Sequence, residues 1–134
     1  MIATLFYLAL QVRESAEQFR AGRAQDISGT LQEGFLPIYY PGNLTIWHKG
    51  HLRPGELEED EKRTFDLFMD RQCYTLQNIV YQHQRGLIED DVYQSTLDVM
   101  RDIVMSSPGG AAYWAERRHL FTPALRAALG DTSD

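Results

Sequence analysis

The chain is poor in most of the features that announce a chemistry. It has one cysteine, Cys73. That excludes an internal disulfide framework and a thiolate zinc site, and it fits a reducing compartment. Basic residues are outnumbered, 13 against 19 acidic, for a net charge of −6. A nucleic-acid binder normally concentrates positive charge on one surface, so no nucleic-acid partner is expected. No Walker A loop, G-x-G-x-x-G loop or G-x-S-x-G elbow is present. No cofactor motif is read. No segment alternates with period two for long enough to predict a strand, and no repeat or low-complexity stretch interrupts the chain.

What is present is ordinary globular composition, 43% hydrophobic and 24% charged over 134 residues, with helical spacing nearly throughout. The expected fold class is all-α: a long N-terminal helix plus a compact helical bundle. Residues 1–24 form the N-terminal unit and residues 25–134 the helical body, its centre around residues 57–105. Helix 1 is predicted over Ile2–Ala24. A second helical stretch is predicted over Asp26–Leu36 with Asp26 as N-cap, weakened by Gly29 and Gly34. Pro37, Pro41 and Gly42 punctuate a loop, Asn43 caps a short turn carrying Leu44, Ile46 and Trp47, and Gly50, Pro54 and Gly55 make the next break.

The strongest helix opens on the acidic run 56–61, which complements the helix dipole, and stops at Gly86 as a C′ residue. Phe65, Phe68, Met69, Gln72, Leu76, Ile79, Val80 and His83 mark one apolar face. Leu67, Tyr74 and Tyr81 form a second stripe at spacing seven, which predicts burial on two sides and a central position. A further helix starts at Glu89-Asp90-Asp91, with Tyr93, Leu97, Met100 and Val104 on its inner face. After the break at Ser106–Gly109, a short helix over Gly110–His119 carries Tyr113 and Trp114. Thr122-Pro123 reads as N-cap and N1 of a last helix ending at Gly130, and Asp131–Asp134 as a polar tail.

Candidate chemical groups reduce to ordinary roles. Glu116 and His119 make one Glu-x-x-His match, where a di-iron bundle needs two such motifs and two more glutamates. His48 and His51 are read as surface or packing histidines. Asp66 and Asp70 lie a turn apart and are read as a solvated face, an acid–base pair being the functional alternative. Cys73 is read as core filling. The rings of Trp47, Tyr74, Tyr81, Tyr93, Tyr113 and Trp114, with His83 and Gln72, are read as core and rim, a small-ligand pocket being the alternative. No catalytic set emerges, and a non-enzymatic role is expected.

The N-terminus is the unusual segment. In residues 1–12 only Thr4 and Gln11 are clearly polar, and the first charge is Arg13. A helix apolar on every side must be surrounded, by protein or by lipid. Twelve residues rise about 18 Å, short of the roughly 30 Å hydrocarbon core of a bilayer. Ile2, Leu5, Phe6, Tyr7, Leu8, Leu10, Val12 and Arg13 are the candidate membrane- or partner-docking residues. Arg13, Arg20 and Arg23 beyond the run belong on the cytoplasmic side by the positive-inside rule. The alternative is burial of this helix in a soluble protein, including a homodimer in which it packs on its symmetry mate.

Several short motifs carry a resemblance. The stretch Tyr7-Leu8-Ala9-Leu10-Gln11-Val12-Arg13 resembles the membrane-helix exit of a group of uncharacterised bacterial proteins with one N-terminal membrane helix and a small helical body. Trp47 before a Gly-containing break, Phe65, Tyr81–Ile88, Ser107–Gly110 with Trp114, and Arg117–Phe121 extend the likeness over most of the chain. The resemblance implies an inner-membrane location with the body on the cytoplasmic side, the alternative being cytoplasmic. It implies membrane or membrane-protein subunits as partners, and it supplies no activity. The expected function is thus an interaction module or accessory subunit of a larger membrane assembly, with a soluble homodimer or a small-ligand binder as alternatives. Here the apolar run before Tyr7 is shorter than a full span, and Gly34–Pro41 is less regularly helical.

Overall fold

The structure is a computed structural model and describes residues 2–133. The ends of the predicted N-terminal unit and polar tail, Met1 and Asp134, lie outside the described residues. Among these, the chain forms six α-helices, three short 3-10 turns and no strand. The helices are α1 (Ile2–Phe35), α2 (Asn43–Leu52), α3 (Glu59–Gln84), α4 (Asp90–Met105), α5 (Pro108–Arg117) and α6 (Pro123–Ala128).

The all-α expectation holds, but the first two predicted helices are one. α1 runs unbroken for 34 residues, and Asp26 lies in its interior, where its carbonyl accepts the Thr30 hydroxyl at 2.8 Å. Glycine costs a helix about 1 kcal/mol relative to alanine. Here packing of Ile27 and Gly34 onto α3 offsets that, since both are buried. The helix gives way at Leu36–Tyr39 to a 3-10 turn opened by Pro37.

α2 also differs from expectation. Gly42, at φ 86°, is its N-cap, and Asn43 is already helical, its side-chain amide donating to the Pro37 carbonyl at 2.8 Å. Gly50 does not break the helix. It is buried inside it, because α2 crosses α5 there and the backbone of Gly50 meets Gly109. A side-chain carbon on either glycine would overlap the Phe65 ring or the Gly50 carbonyl.

α3 starts and stops as predicted. The Glu61 carboxylate accepts the Glu58 backbone N–H at 3.0 Å, closing a capping box, and Gly86 follows the helix at φ 73°. The helix is central, packing against α1, α2, α4, α5 and α6. Its centrality does not come from a second buried stripe. Leu67, Tyr74 and Tyr81 remain 67%, 52% and 55% exposed. The buried set is instead a single broad face: Phe65, Met69, Gln72, Cys73, Leu76, Ile79 and Val80.

α4 contributes Tyr93, Leu97, Met100 and Val104 to the core. α5 begins two residues earlier than predicted, because Ser107 is its N-cap and accepts the Gly110 N–H at 2.9 Å. Thr122 caps α6 in the predicted way, accepting the Leu125 N–H at 3.2 Å. The core extends well past residue 105, since Tyr113, Trp114, Phe121, Leu125 and Leu129 are all buried in it. The tail is not free either. Asp131 accepts the Trp114 indole N–H at 2.8 Å and the Arg118 guanidinium, which holds its carboxyl far below the usual carboxylate range.

Candidate functional site

The direction of α1 follows from its neighbours. Gly34 meets Gln72, Ile27 shares a groove with Ile79, Arg23 with Gln82, and Arg20 with Gly86 and Asp90. Numbers fall along α1 as they rise along α3, so the two helices are antiparallel. Every residue from Ile2 to Gly22 is exposed. The eighteen residues before Arg20 therefore project past the C-terminal end of α3, a reach of about 27 Å at 1.5 Å per residue.

That projection carries all the predicted docking residues. Ile2 is 85% exposed and Val12 70%, and Leu5, Phe6, Tyr7, Leu8 and Leu10 are exposed between them. At 100° per residue these positions cover the circumference except for one arc, which holds Thr4 and Gln11. No face is turned to the body. Val12, Ala16 and Phe19, which share one apolar stripe at helical spacing, are exposed as well. Arg13 pairs with Glu17 at 3.1 Å along the helix, and Arg23 lies over the Phe19 ring. Among the described residues no helix is long and apolar enough to cross a membrane.

The polar groups inside the body link helices. Asp70 does not belong to a solvated face. Its carboxylate accepts two bonds from Arg117 at 2.9 Å and the Tyr113 hydroxyl at 2.5 Å, while Asp66 pairs with Lys62 at 2.8 Å. Burial pushes the Tyr113 hydroxyl far above the ordinary tyrosine range, and the Asp70 carboxylate adds to the rise. Cys73 lies beside this cluster, fully buried, its thiol pushed up to about 12 by burial.

His51 joins α2 to α5. Its Nδ1 is 2.5 Å from the Ser107 hydroxyl, and its ring stands edge-on to Trp47 and Phe65. Burial, with His48 nearby, brings its pKa down to about 4. The Nε2 atom is buried without a hydrogen-bond partner, in a ring flanked by Trp47 and Phe65. His48 is exposed. His83 stacks on Tyr93 at 3.7 Å and shares a 2.7 Å hydrogen bond with Asp90, clamping α3 to the start of α4. Gln72 donates to the Gly34 carbonyl at 3.4 Å. Glu116 approaches Lys62 at 3.3 Å, and among the described residues no three His, Cys, Asp or Glu side chains converge as a metal site requires.

Of the six rings with polar tips, Tyr93, Tyr113 and Trp114 are core, Trp47 is half-buried, and Tyr74 and Tyr81 face out. They do not line one cavity. Sequence reasoning missed the partners of Asp70 and His51, because Arg117 and Ser107 lie 47 and 56 residues away in the chain. It also missed that the spacing-seven stripe is surface. The lack of any Asp or Glu between Arg71 and Ile88 was the available signal, in a chain otherwise rich in acid. No family model, curated protein or solved structure matches the chain.

Proposed function

We propose that the projecting end of α1 is a membrane-docking segment and that the body is a non-enzymatic interaction module held at the cytoplasmic surface. The observation that carries this reading is the exposure of apolar side chains around residues 2–12 on all but the arc of Thr4 and Gln11. A two-helix dimer would cover one face and leave the others in water. Acyl chains cover all of them.

The dimensions favour insertion into one leaflet. The apolar run is about 18 Å long, close to half of a roughly 30 Å hydrocarbon core. Arg13 then falls at headgroup level, with Arg20 and Arg23 about 10 and 15 Å further out along the helix, and a basic residue near an anionic surface contributes about 1 kcal/mol. Burying Ile2, Leu5, Phe6, Leu8, Leu10 and Val12 contributes about 10 kcal/mol before the cost of desolvating the first-turn N–H groups. The charges from Arg13 onward set the depth. An accessory-subunit role in a larger membrane assembly belongs to the same proposal; the exposed outer face of α3, left uncovered beside the bilayer, supports it.

Co-sedimentation with phosphatidylglycerol-containing vesicles tests this. The full chain should pellet with the vesicles, more weakly with pure phosphatidylcholine. The double variant L5E/L8E should stay in the supernatant with an unchanged circular dichroism spectrum, since neither side chain touches the body. Equal sedimentation of variant and wild type, or none by either, overturns the reading.

A further inference from the structure

We propose that the outer face of α3 is a docking site for an acidic amphipathic helix of a partner protein. The face is made by Leu67, Arg71, Tyr74, Asn78, Tyr81 and Arg85, which follow the alternating three- and four-residue spacing of a helix–helix seam. All six are exposed. Open grooves flank it on both sides, one of about 390 Å³ toward α1 and one of about 330 Å³ toward α6, and Tyr74 and Asn78 line both. They form a ridge between two troughs parallel to α3, the relief into which side-chain ridges of a second helix pack.

The charge specifies the occupant. The chain has 19 acidic residues, yet none lies between Arg71 and Ile88, and the one carboxylate lining the two grooves, Asp26, shares the α1 wall with Arg23. The two carboxylates earlier in α3, Asp66 and Asp70, are turned toward Lys62 and Arg117. Among the described residues neither Arg71 nor Arg85 forms an ion pair, and Arg85 lies over the Tyr81 ring and bonds its hydroxyl at 3.2 Å. Two guanidinium groups thus stand fourteen positions apart, about 21 Å along the axis. A partner helix with carboxylates at i and i+14 would reach both, with small apolar residues between them entering the troughs beside Tyr74. Tyrosine and arginine are the residues that dominate interface energetics, and a Tyr–Arg face supplies both. This site is independent of how the free end of α1 is engaged.

The test uses two synthetic helical peptides of one design. One carries glutamate at i and i+14 with alanine and leucine on the inner face between them, and the other carries lysine at those two positions. Titrated at millimolar concentration into the isotope-labelled full chain, the acidic peptide should shift the amide resonances of residues 67–85 and leave α4 and α5 unmoved. The lysine peptide should bind at least about tenfold more weakly. The double variant R71E/R85E should reverse that order while keeping the wild-type melting temperature, and Y74A should weaken the acidic peptide alike. Equal response to both peptides, no response to either, preferential binding of a single-stranded oligothymidylate on the same face, or a concentration-dependent dimer closed through Tyr74 would each overturn the proposal.

Discussion

Arg117 clasps Asp70 through two parallel bonds, Nε to Oδ1 and Nη2 to Oδ2, each 2.9 Å long, joining α5 to α3 across 47 residues of chain. The Tyr113 hydroxyl, one helical turn before Arg117, donates to the same Oδ1. Asp70 is therefore the single acceptor for two donors on one face of α5. Removing it leaves a half-buried guanidinium and a buried hydroxyl unpaired. Hydrogen bonds to charged groups contribute about 1.5–3 kcal/mol, so D70A should lower stability by about 2–3 kcal/mol. R117A should cost less, because Tyr113 keeps its acceptor. A double-mutant cycle by urea unfolding should give a coupling of about 1–2 kcal/mol, and additive losses would show that the pair is not coupled.

Gly109 and Gly50 allow a close backbone approach where α5 crosses α2. A side-chain carbon on Gly109 would overlap the Gly50 carbonyl, a backbone atom with no rotamer to escape through. G109A should cost about 3 kcal/mol or more and flatten the thermal transition. G50A presses on the buried Phe65 ring, a side chain rather than backbone, so its loss should be smaller. Thermal melts of the two variants followed by circular dichroism rank them, and a G109A melt at the wild-type midpoint would contradict the crossing.

The reaction of Cys73 with a thiol reagent should report unfolding of the whole body. The side chain is fully buried in α3, and burial raises its pKa to about 12, so little thiolate exists at neutral pH. Labelling of the native chain with dithionitrobenzoate should run at least about a thousandfold slower than in urea, since reaction requires global opening. Rapid native labelling would place the thiol in a locally mobile part of α3.

These cases mark what was legible in the sequence. The acidic opening of α3, the stop at Gly86 and the Thr122-Pro123 cap were readable because each is decided within four residues, by a carboxylate or hydroxyl meeting a nearby N–H or by a positive φ. The continuity of α1 through Asp26 and Gly29 was not, because packing of Ile27 and Gly34 on α3 decides it. Gly50 looks like a breaker until Gly109, 59 positions away, explains it. Leu67, Tyr74 and Tyr81 were placed inside because spacing identifies a stripe without saying which side of the helix meets the body. The free end of α1 was readable as apolar all round, but its projection beyond α3 follows only from where Arg20, Arg23 and Ile27 lie.

The pairing of His51 with Ser107 makes the fold sensitive to acid in a definite direction. Ser107 already accepts the Gly110 N–H, and its hydroxyl proton is free to reach Nδ1 of a neutral imidazole 2.5 Å away. Nε2 then carries the ring proton, held among Trp47 and Phe65 with no polar partner. Protonation of His51 places a cation among those rings and turns Nδ1 from acceptor to donor. The folded pKa, about 4, lies below the unfolded value of 6.5. Below pH 6.5 the unfolded chain takes up the proton first, so this contribution to stability is full above pH 6.5 and is lost as pH falls toward 4. Carboxylates such as Asp131 and Glu61, held low by Arg118 and Lys49, add an acid-side loss of their own. The variant H51Q isolates the histidine. It should be less stable than wild type at pH 7.5, and the gap should narrow through the window between the two pKa values. Urea midpoints measured at half-unit pH steps give the comparison, and a gap that stays constant from pH 7 to pH 4 would show that His51 titrates alike in both states.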